Sequence, residues 1–281
     1  MSGALDWYSH RLANCLVGND PDAATLEVTL LGPHIRFEIN STLAVTGAEF
    51  DLTVDDMPVD MNRPLEVRPG STLRFGERLR GARAYVAVFG GIDVPPILGS
   101  RSTHVLTGMG GLDGRPLKKG DVLRIGAREK GQGARGEGQK PITPFPFPFA
   151  PVARGSATLR CIPTDERLFA HVTSQRFRVS PRSDRMGYRL EGPSIVDAPT
   201  GELISTAVPT GAIQVPPTGH PILLMNDHAT TGGYAIAATV STADLPLAGQ
   251  LAPGDWVEFV ACSIDAATAE LRRQEATLDG R

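Results

Sequence analysis

Apolar residues recur at helical spacing in only two places. In 7–17, WYSHRLANCLV, residues Leu12, Cys15 and Leu16 fall at i, i+3 and i+4, and Gly18 follows as a stop; 264–277 is rich in Ala, Glu, Leu and Arg. Between them β-branched runs dominate. Three stretches share one design: VRPGSTLRFG at 67–76, LKKGDVLRIG at 117–126 and LAPGDWVEFV at 251–260. In each, a glycine supplies a turn, a small polar residue follows, and an alternating segment offers one side to a core. GARAYVAVFGG (81–91) and TGGYAIAATVS (231–241) form a further pair, each setting a tyrosine in a small-residue strand. The recurrence predicts an all-β chain with minor helices, built as two related halves.

The join is a loss of pattern. From 129 to 151 the sequence EKGQGARGEGQKPITPFPFPFAP has no periodicity, and alternating Pro and Phe favour an extended course. This is read as a linker between 1–128 and 152–281. Its Gly131, Gly133 and Gly136 spell G-x-G-x-x-G, but a dinucleotide site needs that motif to open a helix within a βαβ unit, and here proline follows.

Composition narrows the field further. With 281 residues and 41% hydrophobic content the chain can bury two cores, and 31 glycines and 23 prolines suit many short strands joined by tight turns. The 28 basic and 31 acidic side chains leave a net charge of -3, which offers no footprint for a nucleic acid or an anionic membrane. No run of 18 apolar residues and no basic-then-apolar leader occurs, so a soluble, cytoplasmic protein is expected. Cys15, Cys161 and Cys262 lack any C-x-x-C pairing and read as three ordinary buried thiols in a reducing compartment, with no metal site. Asn40-Ser41-Thr42 is then an accidental sequon.

Familiar catalytic patterns are absent: no G-x-x-x-x-G-K-[ST], G-x-S-x-G, H-E-x-x-H or EF-hand loop. Chemistry must come from loops, and three are polar and glycine-rich: 99–111, 182–192 and 209–234. Glycine lets a backbone approach a ligand and aim N–H groups at an oxyanion, while arginine, threonine and tyrosine supply further donors. Asp227-His228 follows the apolar run Pro221–Met225, so a carboxylate and an imidazole meet at a strand end, although neighbours on a strand face opposite ways. In Thr230-Thr231-Gly232-Gly233-Tyr234 the glycines are expected to turn sharply or to approach something too closely for a Cβ.

GGIDVPPILGSRSTHVLTGMGGLDGRPLKKGD, SDRMGYRLEGP, GAIQVPPTGHPILLMNDHATTGGY and RLANCLVGN together resemble the biotin-dependent carboxyltransferase-like family, from Ser2 to about Phe259. That family includes the C-type subunit of bacterial ATP-dependent 5-oxoprolinase, allophanate hydrolase subunit 2 and the carboxyltransferase region of urea amidolyase. The resemblance implies two cyclophilin-like β-barrel subdomains related by a pseudo-twofold, with 90–111 at an active-site cleft. It also implies partners, namely the B-type 5-oxoprolinase subunit, which is of the allophanate hydrolase subunit 1 type, and the A-type one. Two departures stand out. Members usually begin with a strand pair ahead of the segment matching Ser2–Asp6, so the first hairpin is expected to be lacking. Many carry G-G-Y-P-K-I where this chain has Gly232 to Ala237, without the lysine.

The activity so implied is ATP-driven hydrolysis of 5-oxoproline, a cyclic amide, to glutamate. The alternative is transfer of a carboxyl group from biotin, held on a separate carrier, to urea or a related amide. A third reading is a regulatory binding protein without turnover. For the first two the candidate catalytic residues are Arg101, Asp227 and His228. The candidate substrate-binding residues are Ser102, Thr103, His104, Arg185, Tyr188, Gln214, Thr230, Thr231, Gly232, Gly233 and Tyr234.

Overall fold

The computed structural model describes residues 2–126, 155–196 and 204–279. The segment read as a linker, with its glycine motif, lies outside them. The chain divides into two compact units, one of residues 1–151 with 276–281 and one of 152–275.

The first unit holds helix α1 (Trp7–Val17) and strands β1 (Leu26–Thr29), β2 (His34–Arg36), β3 (Ser41–Val54), β4 (Met57–Val59), β5 (Leu65–Val67) and β6 (Thr72–Val88). The strands make one antiparallel sheet in the order β1-β6-β3-β4, with β2 also on β6 and β5 also on β3. The β3·β6 register shifts between Gly47 and Leu52, and bulges of this kind bend long strands. Alternating side chains then enclose a core of Leu43, Val45, Phe50, Leu73, Phe75 and Val86.

Helix α1 starts where Asp6 caps it. Asp6 Oδ1 accepts the Ser9 N–H at 2.8 Å, and Oδ2 accepts the Ser9 hydroxyl at 2.5 Å. Gly18 closes the helix in the left-handed conformation, donating its N–H to the last-turn carbonyls. Tyr8, Leu12, Leu16 and Val17 are buried as α1 packs on β3 and β6. Beneath the cap, Tyr85 on β6 donates its hydroxyl to Glu27 at 2.8 Å and accepts the Asp6 N–H at 2.9 Å. Burial, followed by the neighbouring Glu27 and Asp6, holds the Tyr85 phenol well above its ordinary pKa.

The second unit contains β7 (Ser156–Pro163), α2 (Glu166–Thr173), β8 (Phe177–Val179), β9 (Gly187–Glu191), β10 (Thr206–Ala207), β11 (Ala212–Val215), β12 (Ile222–Leu224), β13 (Thr231–Gly232), β14 (Ala235–Val240), α3 (Leu245–Gly249), β15 (Trp256–Ala261) and α4 (Ile264–Leu278), whose last residues cluster with the first unit. Seven strands close a barrel in the order β11-β12-β9-β8-β15-β7-β14. The β7·β15 pair is parallel, and the other pairs in the barrel are antiparallel. Leu159, Phe177, Tyr188, Leu190, Ile213, Leu223 and Phe259 fill its core. The β10·β13 ribbon stands apart from the barrel ladder.

All three repeated turns form. Gly70, Gly120 and Gly254 have φ of 92°, 92° and 94°. Strands follow the first and third, but after Gly120 the expected strand shrinks to one bridge between Ile92 and Ile125. Gly126 is the reason. It donates its N–H to the Gly91 carbonyl, and its Cα lies so near the Gly90 carbonyl that an added Cβ would stand 2.5 Å from that oxygen, so the segment is spent closing a loop. The paired tyrosines are not equivalent either: Tyr85 is fully buried, whereas Tyr234 is 48% exposed. Helices α2 and α3 add to the two expected, and of the three thiols only Cys161 is fully buried.

Replacing Tyr85 by Phe leaves the Asp6 N–H and a Glu27 oxygen without their hydroxyl partner. The expected loss is about 1–3 kcal/mol in urea unfolding, with the m-value unchanged.

Candidate functional site

In the first unit, the candidate residues lie on one closely folded loop. Arg101 donates to the Val94 carbonyl across the loop base. The Ser100 hydroxyl donates to the Ser2 carbonyl at 3.0 Å and accepts the Ser102 N–H at 3.1 Å, and the Ser102 and Ser2 hydroxyls lie 3.2 Å apart. His104 Nδ1 sits 2.7 Å from the Thr107 hydroxyl, and His104 and Met109 exchange backbone hydrogen bonds. A Cβ on Gly111 would fall 1.8 Å from the Thr103 hydroxyl oxygen, and one on Gly114 would fall 1.8 Å from the Gly108 carbonyl. Only glycine permits this packing. The loop amides of Gly108, Met109, Gly114 and Arg115 donate to loop carbonyls.

In the second unit, strand register builds the site. β12 and β14 flank β11, both antiparallel to it, so they run parallel to each other. A hairpin cannot join parallel strands; the chain must cross a face of the sheet. It leaves β12 at Leu224, beside the Ala212 end of β11, and enters β14 at Ala235, which pairs with Val215. Residues 225–234 make the passage. Val208 donates its N–H to the Thr230 carbonyl, and Thr206 and Ala207 pair with Gly232 and Thr231, fixing the crossing strand against β10.

The face that is crossed is the outer one. Ile213, Leu223 and Tyr188 share the buried interior face, so Gln214, Ile222 and Arg189, one register step along, share the other. Val208, Ala212 and Leu224, with Ile222 and Ile236, form a second apolar cluster. Gln214 is 5% exposed, and its Nε2 has no hydrogen-bond partner among the described residues. A Cβ on Gly232 would lie 2.5 Å from that nitrogen, so the expected close approach is made by Gly232 without a positive φ. The β11·β14 register shifts at Ile213/Gln214, leaving Ala237 as the extra residue opposite. An unpartnered donor in such a place costs about 1–3 kcal/mol.

At the start of the crossing the adjacent acid and base have different partners. Asp227 is held by Arg185 through Nε–Oδ2 and Nη2–Oδ1 contacts of 2.9 and 3.3 Å. His228 Nδ1 donates its N–H to the Ala229 carbonyl at 2.6 Å, so in the neutral ring Nε2 accepts from the Thr210 hydroxyl at 3.2 Å. Carbonyl, imidazole and hydroxyl thus form one hydrogen-bonded chain. Thr210 was not among the sequence candidates; the signal for it lay in position, since Pro209-Thr210-Gly211 opens the strand carrying Gln214. Tyr188 belongs to the barrel interior. Thr230, Thr231 and Tyr234 are exposed along the crossing, and Gly233 is half-buried. The structure therefore gathers Arg185, Gln214, Asp227, His228 and Thr230 to Tyr234 around one crossover, while Arg101 to His104 belong to the other unit. Among the described residues no group of three or more His, Cys, Asp or Glu side chains could hold a metal ion. No helix there is long and apolar enough to cross a membrane.

A family model described as "Carboxyltransferase domain, subdomain A and B" matches residues 1–261. The chain is 38% identical to the C-type 5-oxoprolinase subunit of Escherichia coli over 97% of its own length and 86% of that protein. It is 35% identical to urea amidolyase of Lachancea kluyveri over 99% of its length, spanning 16% of that much longer protein. The crystal structure of the K. lactis urea amidolyase superposes with a TM-score of 0.89 at 31% identity, covering 99% of this chain and 18% of that one.

The loop in the first unit carries its own acid sensitivity. Asp121 accepts from the Arg115 guanidinium at 2.7 and 2.9 Å and from the Lys118 N–H at 2.8 Å, which lowers its pKa to about 2. An unfolded aspartate titrates near ~3.9, so the pair's contribution is complete above that pH and disappears as pH falls toward 2. A carboxyl NMR titration should show Asp121 ionised at pH 3, and Arg115→Ala should raise its pKa part of the way to the ordinary range, because the Lys118 N–H still donates to it.

Proposed function

The chain belongs to the carboxyltransferase family of subdomains A and B, and on that premise we propose that it is the C-type subunit of an ATP-dependent 5-oxoprolinase. In this reading it acts with subunits of types A and B in the cytoplasm to open 5-oxoproline to glutamate. The observation that carries this is the match to the C-type E. coli subunit, which spans 97% of this chain and 86% of that one.

The crossover supplies a set of groups suited to hydrolysing a cyclic amide. The lone pair of His228 Nε2, directed at the Thr210 hydroxyl, makes it the base. It draws the Thr210 hydroxyl proton as Thr210 Oγ1 takes a proton from the water that adds to the amide carbon, and the proton gained by Nε2 goes to the lactam nitrogen as the C–N bond breaks. Asp227, engaged by Arg185, contributes structure and field rather than proton transfer. Thr230, Thr231 and Tyr234 line the approach. In the first unit, Arg101 to His104 are candidate donors for an anionic group. Four amides of the first unit's glycine loop donate to loop carbonyls. ATP is assigned to the complex, and no step here is routed through it.

A second reading, carboxyl transfer from biotin borne on a separate carrier to urea or a related amide, is favoured by the superposition on urea amidolyase. Inhibition by avidin would distinguish it, since only that reaction needs biotin.

Coexpression with the partner subunits, followed by an ATP-dependent assay of 5-oxoproline to glutamate, tests the proposal. Turnover is expected from the complex and none from the single chain; an inactive complex refutes the reading. In the complex, His228→Ala should lower kcat by roughly a hundred- to ten-thousandfold, and Arg101→Ala by roughly ten- to a thousandfold. Unchanged kcat and KM would remove the residue concerned from the chemistry.

A further inference from the structure

We infer that Gln214 recognises the amide edge of the substrate, pairing its carboxamide with an N–H and a C=O that lie side by side on one edge of the ligand. This rests on the reading of the chain as part of an amide-processing enzyme, and it names the substrate class that the crossover accepts.

Three observations converge on the residue. Its side chain is buried, yet Nε2 has no partner among the described residues, so a hydrogen-bond donor is held dry and unused. The bulge opposite Gln214 sets it off from the regular ladder, the device by which sheets re-aim a side chain. Gly232 leaves room for the amide where any other residue would strike it. A glutamine serving only to fill space has no need of these arrangements, and its neighbours Val208, Ala212 and Leu224 would accept a leucine.

The ligand class follows from the functional group. A primary carboxamide donates from nitrogen and accepts at oxygen on one edge, so its complement presents C=O and N–H in the same plane and on the same side. A five-membered lactam is locked in that arrangement, and urea has it by constitution. The relatives here are named for 5-oxoproline and for urea, and this edge is what those two molecules share. An ester or ether ring of the same size lacks the N–H. Access requires the crossing strand to lift from Gln214. It is held there through the pairs Thr206 with Gly232 and Ala207 with Thr231, and by the Val208 amide on Thr230.

The test measures binding in the assembled complex by ligand-observed NMR, with 5-oxoproline, urea and tetrahydrofuran-2-carboxylate as ligands, for the wild type, Gln214→Leu, Gln214→Glu and Gly232→Ala. The wild type should bind at least one of the amides in preference to the ether acid. Gln214→Leu should weaken that binding roughly ten- to a hundredfold, the scale of one or two lost hydrogen bonds, while leaving Tm equal or higher because an unsatisfied donor is gone. Gly232→Ala should weaken it by crowding the amide. If Gln214→Leu does not fold, the near-isosteric Gln214→Glu is read in its place and should show the same loss, since a carboxylate cannot donate to the C=O. Binding that is unaffected by the readable Gln214 variant, or no preference for an amide, overturns the inference. Failure of the 5-oxoprolinase reading would look different: Gln214-dependent amide binding without ATP-dependent glutamate formation.

Discussion

The candidate site in the second unit is dictated by a topological constraint. Barrel closure places β14 between β11 and β7, on the far side of β11 from β12, and both neighbours of β11 run antiparallel to it. Consecutive strands that end up parallel cannot be linked at one rim. The connection has to travel the length of β11 across a face already committed to apolar packing, and every polar group on that route must find a partner or be left without one. Thr210 and His228 satisfy each other where the passage begins. Gln214, midway along, is the group that the passage covers without satisfying.

The first unit solves a different problem, that of seating a helix on a sheet through charged and polar groups. Asp6, Ser9, Tyr85 and Glu27 form one connected set at the start of α1, and Thr46 on β3 adds its hydroxyl to the Ser9 carbonyl at 2.6 Å. Such a set tolerates little slippage, because moving the helix by one residue breaks several hydrogen bonds at once. The glycine-rich loop shows the same economy at the level of the backbone. The amides of Gly108, Met109, Gly114 and Arg115 donate to carbonyls of the same loop.

What could be read from residues alone followed the strength of local signals. Helix α1 was legible because its apolar spacing and Gly18 stop agree, and the three glycine turns because only glycine takes their φ. Helix α2 was not, since eight residues starting from the Asp165 cap carry too few turns for a period to emerge from a β-rich background. The strand expected after Gly120 failed because its end is claimed by the long-range approach of Gly126 to Gly90, which no local pattern encodes. At the site, Gln214 and Gly232 could be nominated separately. Their contact depends on register across three strands and on a one-residue bulge, and neither leaves a periodic trace. Thr210 was missed for the same reason, and Tyr188 is turned to the interior by strand alternation.

The bulged residue Ala237 has a second attachment. Its carbonyl accepts the N–H groups of both Thr164 and Asp165, at 3.0 and 3.1 Å, where the chain turns from β7 into α2. The irregularity opposite Gln214 is thereby anchored from outside the ladder: restoring regular pairing would cost two hydrogen bonds at the mouth of a helix. The Asp165 backbone N–H, at the residue whose side chain caps α2, is thus one of the two donors that hold the bulge. Because both donors are backbone amides, the anchor depends on the course of the chain from β7 into α2 rather than on the side chains there, and of the common substitutions only proline would remove one of the two bonds.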